Sequence, residues 1–245
     1  MTAFLAELRR VHTASLAFAA VLPLAAAIPL VAEFVQHVVE MRIGMYDGID
    51  AAQAVESHAA RLLLGFIKTV ALGLPAYFLI RWLASGGDRS FAARQERPAM
   101  ALFALVVALQ TLFAWLSLYV WTGGKMAVGL FAFSLVFMPL IARFVVAAPL
   151  GLFISPLQSI RTMAPHAVFA ILFPLAAMLP LMVVHYALGL GAIFVAGDAL
   201  KWAMLAVDSF VTAWLALVLI TAQYVVATRP GSIIDAKAPA SMITP

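Results

Sequence analysis

Between Ala167 and Val195 the chain reads AVFAILFPLAAMLPLMVVHYALGLGAIFV, without one Asp, Glu, Lys or Arg. About 20 apolar residues suffice to cross the hydrocarbon core as a helix, and a run this apolar finds its natural solvent in lipid. Similar runs extend from Ala14 to Val35, Leu62 to Leu83, Ala99 to Val120, Met126 to Ile154 and Leu200 to Ala227, with short polar breaks between them. A segment in lipid must satisfy its own backbone hydrogen bonds, which selects helices for runs of this length. The expected fold is therefore all-α: a polytopic membrane helix bundle of about six transmembrane helices, preceded by an N-terminal interfacial helix. Composition excludes an ordinary globular domain, because 65% of the 245 residues are hydrophobic and 11% are charged, against about 25% charged in soluble domains.

The net charge of +4 does not point to nucleic acid, because basic residues beside spans normally set topology. Arg9, Arg10, Arg81, Arg89, Arg94, Arg97, Arg161, Arg229 and Lys237 fall on one side of a six-span bundle, and Arg42, Arg61, Lys125 and Lys201 on the other. The positive-inside rule then places both termini in the cytoplasm, and the expected location is a bacterial inner membrane. Cysteine is absent, which removes disulfides, thiolate metal sites, iron–sulfur clusters and cysteine nucleophiles.

Three regions are expected: an interfacial helix over 1–13, a six-span domain over 14–228 and a C-terminal cytoplasmic tail over 229–245. Phe4, Leu5, Leu8 and Val11 share one helical face, as suits a helix lying in the interface; a polar lead into the first span fits equally well. Arg9-Arg10 before an apolar run also resembles a signal peptide, but the run from Ala14 to Val35 is too long for an h-region, so it reads as an anchor bent at Pro23 and Pro29. Residues Ile49–Arg61 predict a short surface helix with Asp50 as N-cap. Ser85–Pro98 reads as a loop, and Thr122-Gly123-Gly124-Lys125 as a turn that lacks the phosphate-loop pattern. The order bent, bent, straight recurs in spans one to three and four to six, as an inverted repeat would produce, yet the spacings of Pro23/Pro29 and Pro139/Pro149 differ.

Ionisable residues inside spans are the candidate sites, since they are expensive in lipid. Lys68, His185 and Asp208 lie about six to ten residues below the same surface at 1.5 Å of rise per residue, which predicts a Lys68–Asp208 pair with His185 nearby. Such a cluster serves as a packing ion pair, relays protons or holds an anionic head group. Arg143, with Gln110 as an expected neighbour, is a candidate lipid or partner contact, bonding either a phosphate or carboxylate or carbonyls freed by Pro139 or Pro149. Glu33, His37 and Glu40 repeat at i, i+4, i+7 near the end of span one, with Glu56 and His58 following. That face can bind a metal, but HExxH and the Glu-x-x-His order are absent, so a wet, charged interface is expected. His185 as a haem or pigment ligand lacks a second deep histidine. No GxSxG pattern or recognisable Ser/His spacing is present. No enzyme activity, metal or cofactor is expected.

Arg143, Pro149 and the elbow Ser155-Pro156-Leu157-Gln158-Ser159-Ile160-Arg161 resemble the fourth span and following helix of YciC-type bacterial six-helix inner-membrane proteins, and the membrane domain attached to some glycerophosphodiester phosphodiesterases. Phe153, where an acidic residue is frequent, and Met163-Ala164-Pro165-His166, where a basic Gly-containing stretch is usual, depart from that pattern. The resemblance implies a fold and not an activity. The expected function is a non-catalytic integral membrane subunit or scaffold in a larger complex; the alternative is a small transporter or lipid-handling protein that uses its intramembrane polar cluster. Expected partners are the lipid bilayer, other membrane protein subunits and a bound phospholipid.

Overall fold

The computed structural model describes residues 2–121, 124–231 and 233, and all regular structure among them is helical. Met1, the Thr122-Gly123 part of the expected turn, and residue 232 and residues 234–245 of the tail lie outside the described residues. Five helical segments are long and apolar enough to cross a membrane: Pro23–Arg42, Ala59–Ala84, Arg97–Val120, Pro156–Phe194 and Asp198–Thr228; a sixth is formed if Gly124–Leu140 and Ala142–Leu150, bent by 57°, make one span. The protein is a polytopic all-α membrane bundle.

The N-terminal helix is longer than expected. Helix α1 covers Thr2–Val21 and α2 covers Pro23–Arg42, so α1 extends well past Thr13. Val11 and Phe18 are both fully buried, and Ser15 Oγ lies 3.1 Å from Thr221 Oγ1 on the last helix. The packed face thus continues through the segment expected to begin the first span. Leu22 ends it at φ −129°, ψ 64°, because the ring of Pro23 disfavours helical geometry in the residue before it.

Between the first spans the surface helix is shorter than Ile49–Arg61: α3 covers Ile49–Ala54, capped by Gly48 and not Asp50. His58 turns extended and accepts a hydrogen bond from Ala60 N at the start of α4, Ala59–Gly73. Pro75 breaks this span before α5, Ala76–Ala84. The Ser85–Pro98 segment is not all loop, since Asp88 caps the short α6, Arg89–Ala93. Hydrogen bonds from Ser90 hold the Asp88 carboxyl below its ordinary range. Helix α7, Arg97–Trp115, ends in a π turn, Leu116–Val120. Then come α8, Gly124–Leu140, and α9, Ala142–Ala147, with the 3-10 turn Ala148–Leu150. The elbow forms its own helix α10, Pro156–Met163, N-capped by Ser155. Helices α11, Ala167–Phe194, and α12, Asp198–Thr228, complete the bundle.

Helix α12 is central, packing against α11, α2, α1, α5 and α9. In lipid, helix association relies on close packing and interhelical polar contacts. The buried alanines 213, 216, 222 and 227 of α12 and 170, 177 and 192 of α11 provide that approach. A buried arginine organises the end of the bundle near the termini. Arg81 is fully buried and donates to Phe91 O at 3.1 Å, Pro149 O at 3.0 Å and Glu96 Oε1 at 3.1 Å, with Phe91 and Tyr77 rings 4.3 and 5.4 Å from its guanidinium carbon. It thereby ties α5 to the α6 segment and to the 3-10 turn after α9. Gly151 follows that turn at φ +71°, with a Cβ position 3.6 Å from Ala99, so glycine relieves strain where α7 passes close by.

Replacing Arg81 by Met is expected to cost on the order of 3 kcal/mol, because two carbonyls lose their donor and Glu96 the nearer of its two arginines. Arg81→Lys falls between, since ammonium lacks the planar fork. Unfolding in mixed micelles measures both, and a loss under about 1 kcal/mol for Arg81→Met would contradict the clamp.

Candidate intramembrane ionic cluster

On α2 the residues Glu33, Gln36, His37 and Glu40 form one stripe, as i, i+3, i+4 and i+7 must on a helix. The stripe faces inward: Glu33 is 1%, His37 4% and Glu40 3% exposed. Opposite stands Asp208 of α12, 0% exposed. Its Oδ2 is 3.1 Å from His37 Nε2, and its Oδ1 is 2.8 Å from Nδ1 of His185 on α11. A single carboxylate thus joins three helices.

Both α2 carboxylates are also met by cations reaching in from α4. Lys68 Nζ lies 3.3 and 3.1 Å from the two oxygens of Glu33, and Arg61 Nε lies 3.2 Å from Glu40 Oε1. Gln36 Nε2 donates to Glu40 Oε1 at 2.8 Å, and Tyr46 OH donates to Glu40 Oε2 at 2.9 Å. Tyr46 sits in the loop beyond α2, where burial and then the Glu40 charge push its hydroxyl far above the ordinary phenol range. It therefore stays a donor. His37 Nδ1 is 3.2 Å from Glu40 Oε2 and 3.0 Å from Tyr46 OH, while Nε2 is 3.4 Å from Glu33 Oε1.

Lys68, Asp208, Glu33 and His185 each lie nine or ten residues from the same end of their helices, at Ala59, Asp198, Arg42 and Phe194, about 14–15 Å deep at 1.5 Å per residue. The common depth of Lys68, His185 and Asp208 agrees with the sequence expectation, but the direct Lys68–Asp208 pair does not form. Lys68 pairs with Glu33, because α4 packs on α2, and Asp208 takes the two histidines. Charge balance follows: three carboxylates face Lys68 and Arg61, leaving one negative charge beside His37 and His185.

The Glu33/His37/Glu40 face is a sealed core and not the expected wet interface. Glu56 and His58 stay at the surface, where Glu56 O accepts from Arg61 Nη1 at 2.9 Å. Thr212 Oγ1 is 3.2 Å from His185 Nδ1, but Asp208 contacts that same ring nitrogen. The imidazole therefore does not bridge hydroxyl to carboxylate as a hydrolytic triad requires.

Arg143 is buried and donates through Nη1 to Ala227 O and Gly231 O, each at 3.0 Å. These carbonyls belong to the end of α12 and the residues after it, and not to the turns opened by Pro139 or Pro149. Helix ends leave such acceptors unpaired, and a buried guanidinium supplies the donors. Gln110 lines a separate apolar cavity of about 280 Å³ between α7 and α8 with Phe133 and Phe137. A second cavity, also about 280 Å³, lies near the termini among Glu7, Arg10, Tyr224 and Arg229. Neither lining includes a cluster residue.

No family model, no curated protein and no solved structure matches this chain.

A double-mutant cycle in mixed micelles between Lys68→Met and Glu33→Gln is expected to show a coupling of about 1 kcal/mol or more, as contacting residues do. The Lys68→Met and Asp208→Asn cycle should give less than half of that. A larger coupling to Asp208 would restore the direct pair.

Proposed function

We propose that this chain is a small membrane carrier that binds a cation at the cluster around Asp208. The observation that carries this reading is an asymmetry of exposure. The carboxylates of α2 and α12 are sealed, whereas the side chains of Lys68, His185 and Arg61 are 21%, 23% and 26% exposed. Intramembrane carboxylates are costly in lipid and are found along ion pathways and proton relays. Lys68 and Arg61 stand seven residues apart on one face of α4, so a displacement of that helix would withdraw both counter-charges together. The break at Leu74 and Pro75 gives α4 a hinge. An incoming cation would replace them without moving the carboxylates.

The same proposal places both termini in the cytoplasm of a bacterial inner membrane. Its support is that Arg81, Arg94, Arg143 and Arg229 gather at the end of the bundle where α12 finishes, as positive-inside topology favours.

Proteoliposomes loaded with indicators for protons, sodium and divalent cations test the reading. A protein-dependent flux of one of these ions is expected, reduced about tenfold or more by Asp208→Asn, a barrier change of about 1.4 kcal/mol. Absence of any such flux, with the chain isolated in fixed ratio with another membrane protein, would overturn it in favour of an accessory subunit.

A further inference from the structure

We propose that Glu33, His37 and Asp208 form a binding site for one divalent first-row transition ion of the zinc(II) kind. This rests on reading the cluster as a cation site and names the ion class. One donor atom from each residue lies within 4.8 Å of the others, and all three residues are buried. Two of the three donor–donor distances already match those of a coordination polyhedron. His37 Nε2 stands 3.1 Å from Asp208 Oδ2 and 3.4 Å from Glu33 Oε1, while metal–ligand bonds of about 2.0–2.1 Å in a tetrahedron put neighbouring donors about 3.3 Å apart. An ion seated among them would draw in the Glu33 and Asp208 oxygens, which lie within 4.8 Å of each other.

The surroundings of the donors provide independent support. A metal-ligating histidine normally turns its other ring nitrogen to a carboxylate or similar partner, which fixes its orientation. Here His37 presents Nε2 to the two carboxylates and Nδ1 to Glu40 and Tyr46. Asp208 is held in the same way, with Oδ1 bonded to His185 and Oδ2 left toward the site. Gln36 supports this outer ring of contacts by donating through Nε2 to Glu40 Oε1 at 2.8 Å.

Charge and donor type select the ion. Two carboxylates and a neutral imidazole make a divalent ion electrically neutral, as burial of all three residues inside the bundle demands. Imidazole with carboxylate suits zinc and its neighbours, whereas calcium takes six to eight oxygens. Three protein ligands leave a fourth position open. Lys68 competes for Glu33 in the absence of the ion. When the ion binds, its flexible side chain, already partly exposed, moves off toward the interface.

The test uses the full chain purified without a histidine tag, stripped with a chelator, reloaded with Zn²⁺ or Co²⁺ and passed through gel filtration. About one equivalent of metal per chain is expected, and the bound Co²⁺ should show the visible absorption of a low-coordinate site. Glu33→Gln and Asp208→Asn should each weaken retention about tenfold or more, a binding difference of about 1.4 kcal/mol. His12→Gln and His166→Gln should not. Lys68→Gln should tighten binding several-fold by removing the competitor, a direction that an ion-pair cluster without a metal role does not produce. Should Asp208→Asn fail to fold, Glu33→Gln and Lys68→Gln decide. Failure of the folded wild type to retain metal, or retention indifferent to Glu33→Gln, would overturn the site. Zinc held without cation flux in liposomes would end the carrier reading and leave the site standing. Flux without zinc retention would do the reverse.

Discussion

A carboxylate with no exposure, about 15 Å from the helix end, is the constraint on which the rest of this bundle depends. Lone ions at that depth cost several kcal/mol, so Asp208 cannot be placed until partners surround it. It finds them on α2 and α11, where His37 and His185 approach its two oxygens. The same requirement passes outward: His37 lies against Glu33 and Glu40, and those carboxylates draw Lys68 and Arg61 from α4. Four helices are thereby held in register by one chain of ionic contacts. Apolar packing alone would not specify it, because lipid tails are as apolar as the side chains that face them.

The opposite end of the bundle solves a different problem with the same currency of charge. Broken helices and helix ends leave carbonyls without intrahelical donors. Arg81 serves Phe91 and Pro149, and Arg143 serves Ala227 and Gly231. Both arginines therefore act as internal caps. The break at Pro149 is tolerable because Arg81 donates to its carbonyl.

The helix periods and apolar runs made the bundle, its approximate span number and the depth of the ionisable residues legible in the sequence. What they could not convey was direction around each helix axis. Depth follows from a count along the chain at a known rise, which puts Lys68, His185 and Asp208 at one level. Which of them touch depends on helix packing, and α4 turned out to lie against α2, giving Lys68 to Glu33. Glu33 and His37 were visible as a stripe, but without Asp208 they looked like a wet helix end. Arg81 appeared as a topology-setting charge, since nothing local distinguishes a buried guanidinium from a surface one. The continuation of the N-terminal helix, ASLAFAAV, is apolar enough to resemble the beginning of a span. Only the effect of Pro23 on Leu22 separates the two.

The most direct test of Asp208 as the shared acceptor is nitrogen NMR of the chain labelled at its five histidines. Asp208→Asn should shift the imidazole signals of His37 and His185 together while those of His12, His58 and His166 stay in place. If only one of the pair moves, or neither does, Asp208 does not stand between them and the organisation described around it is wrong.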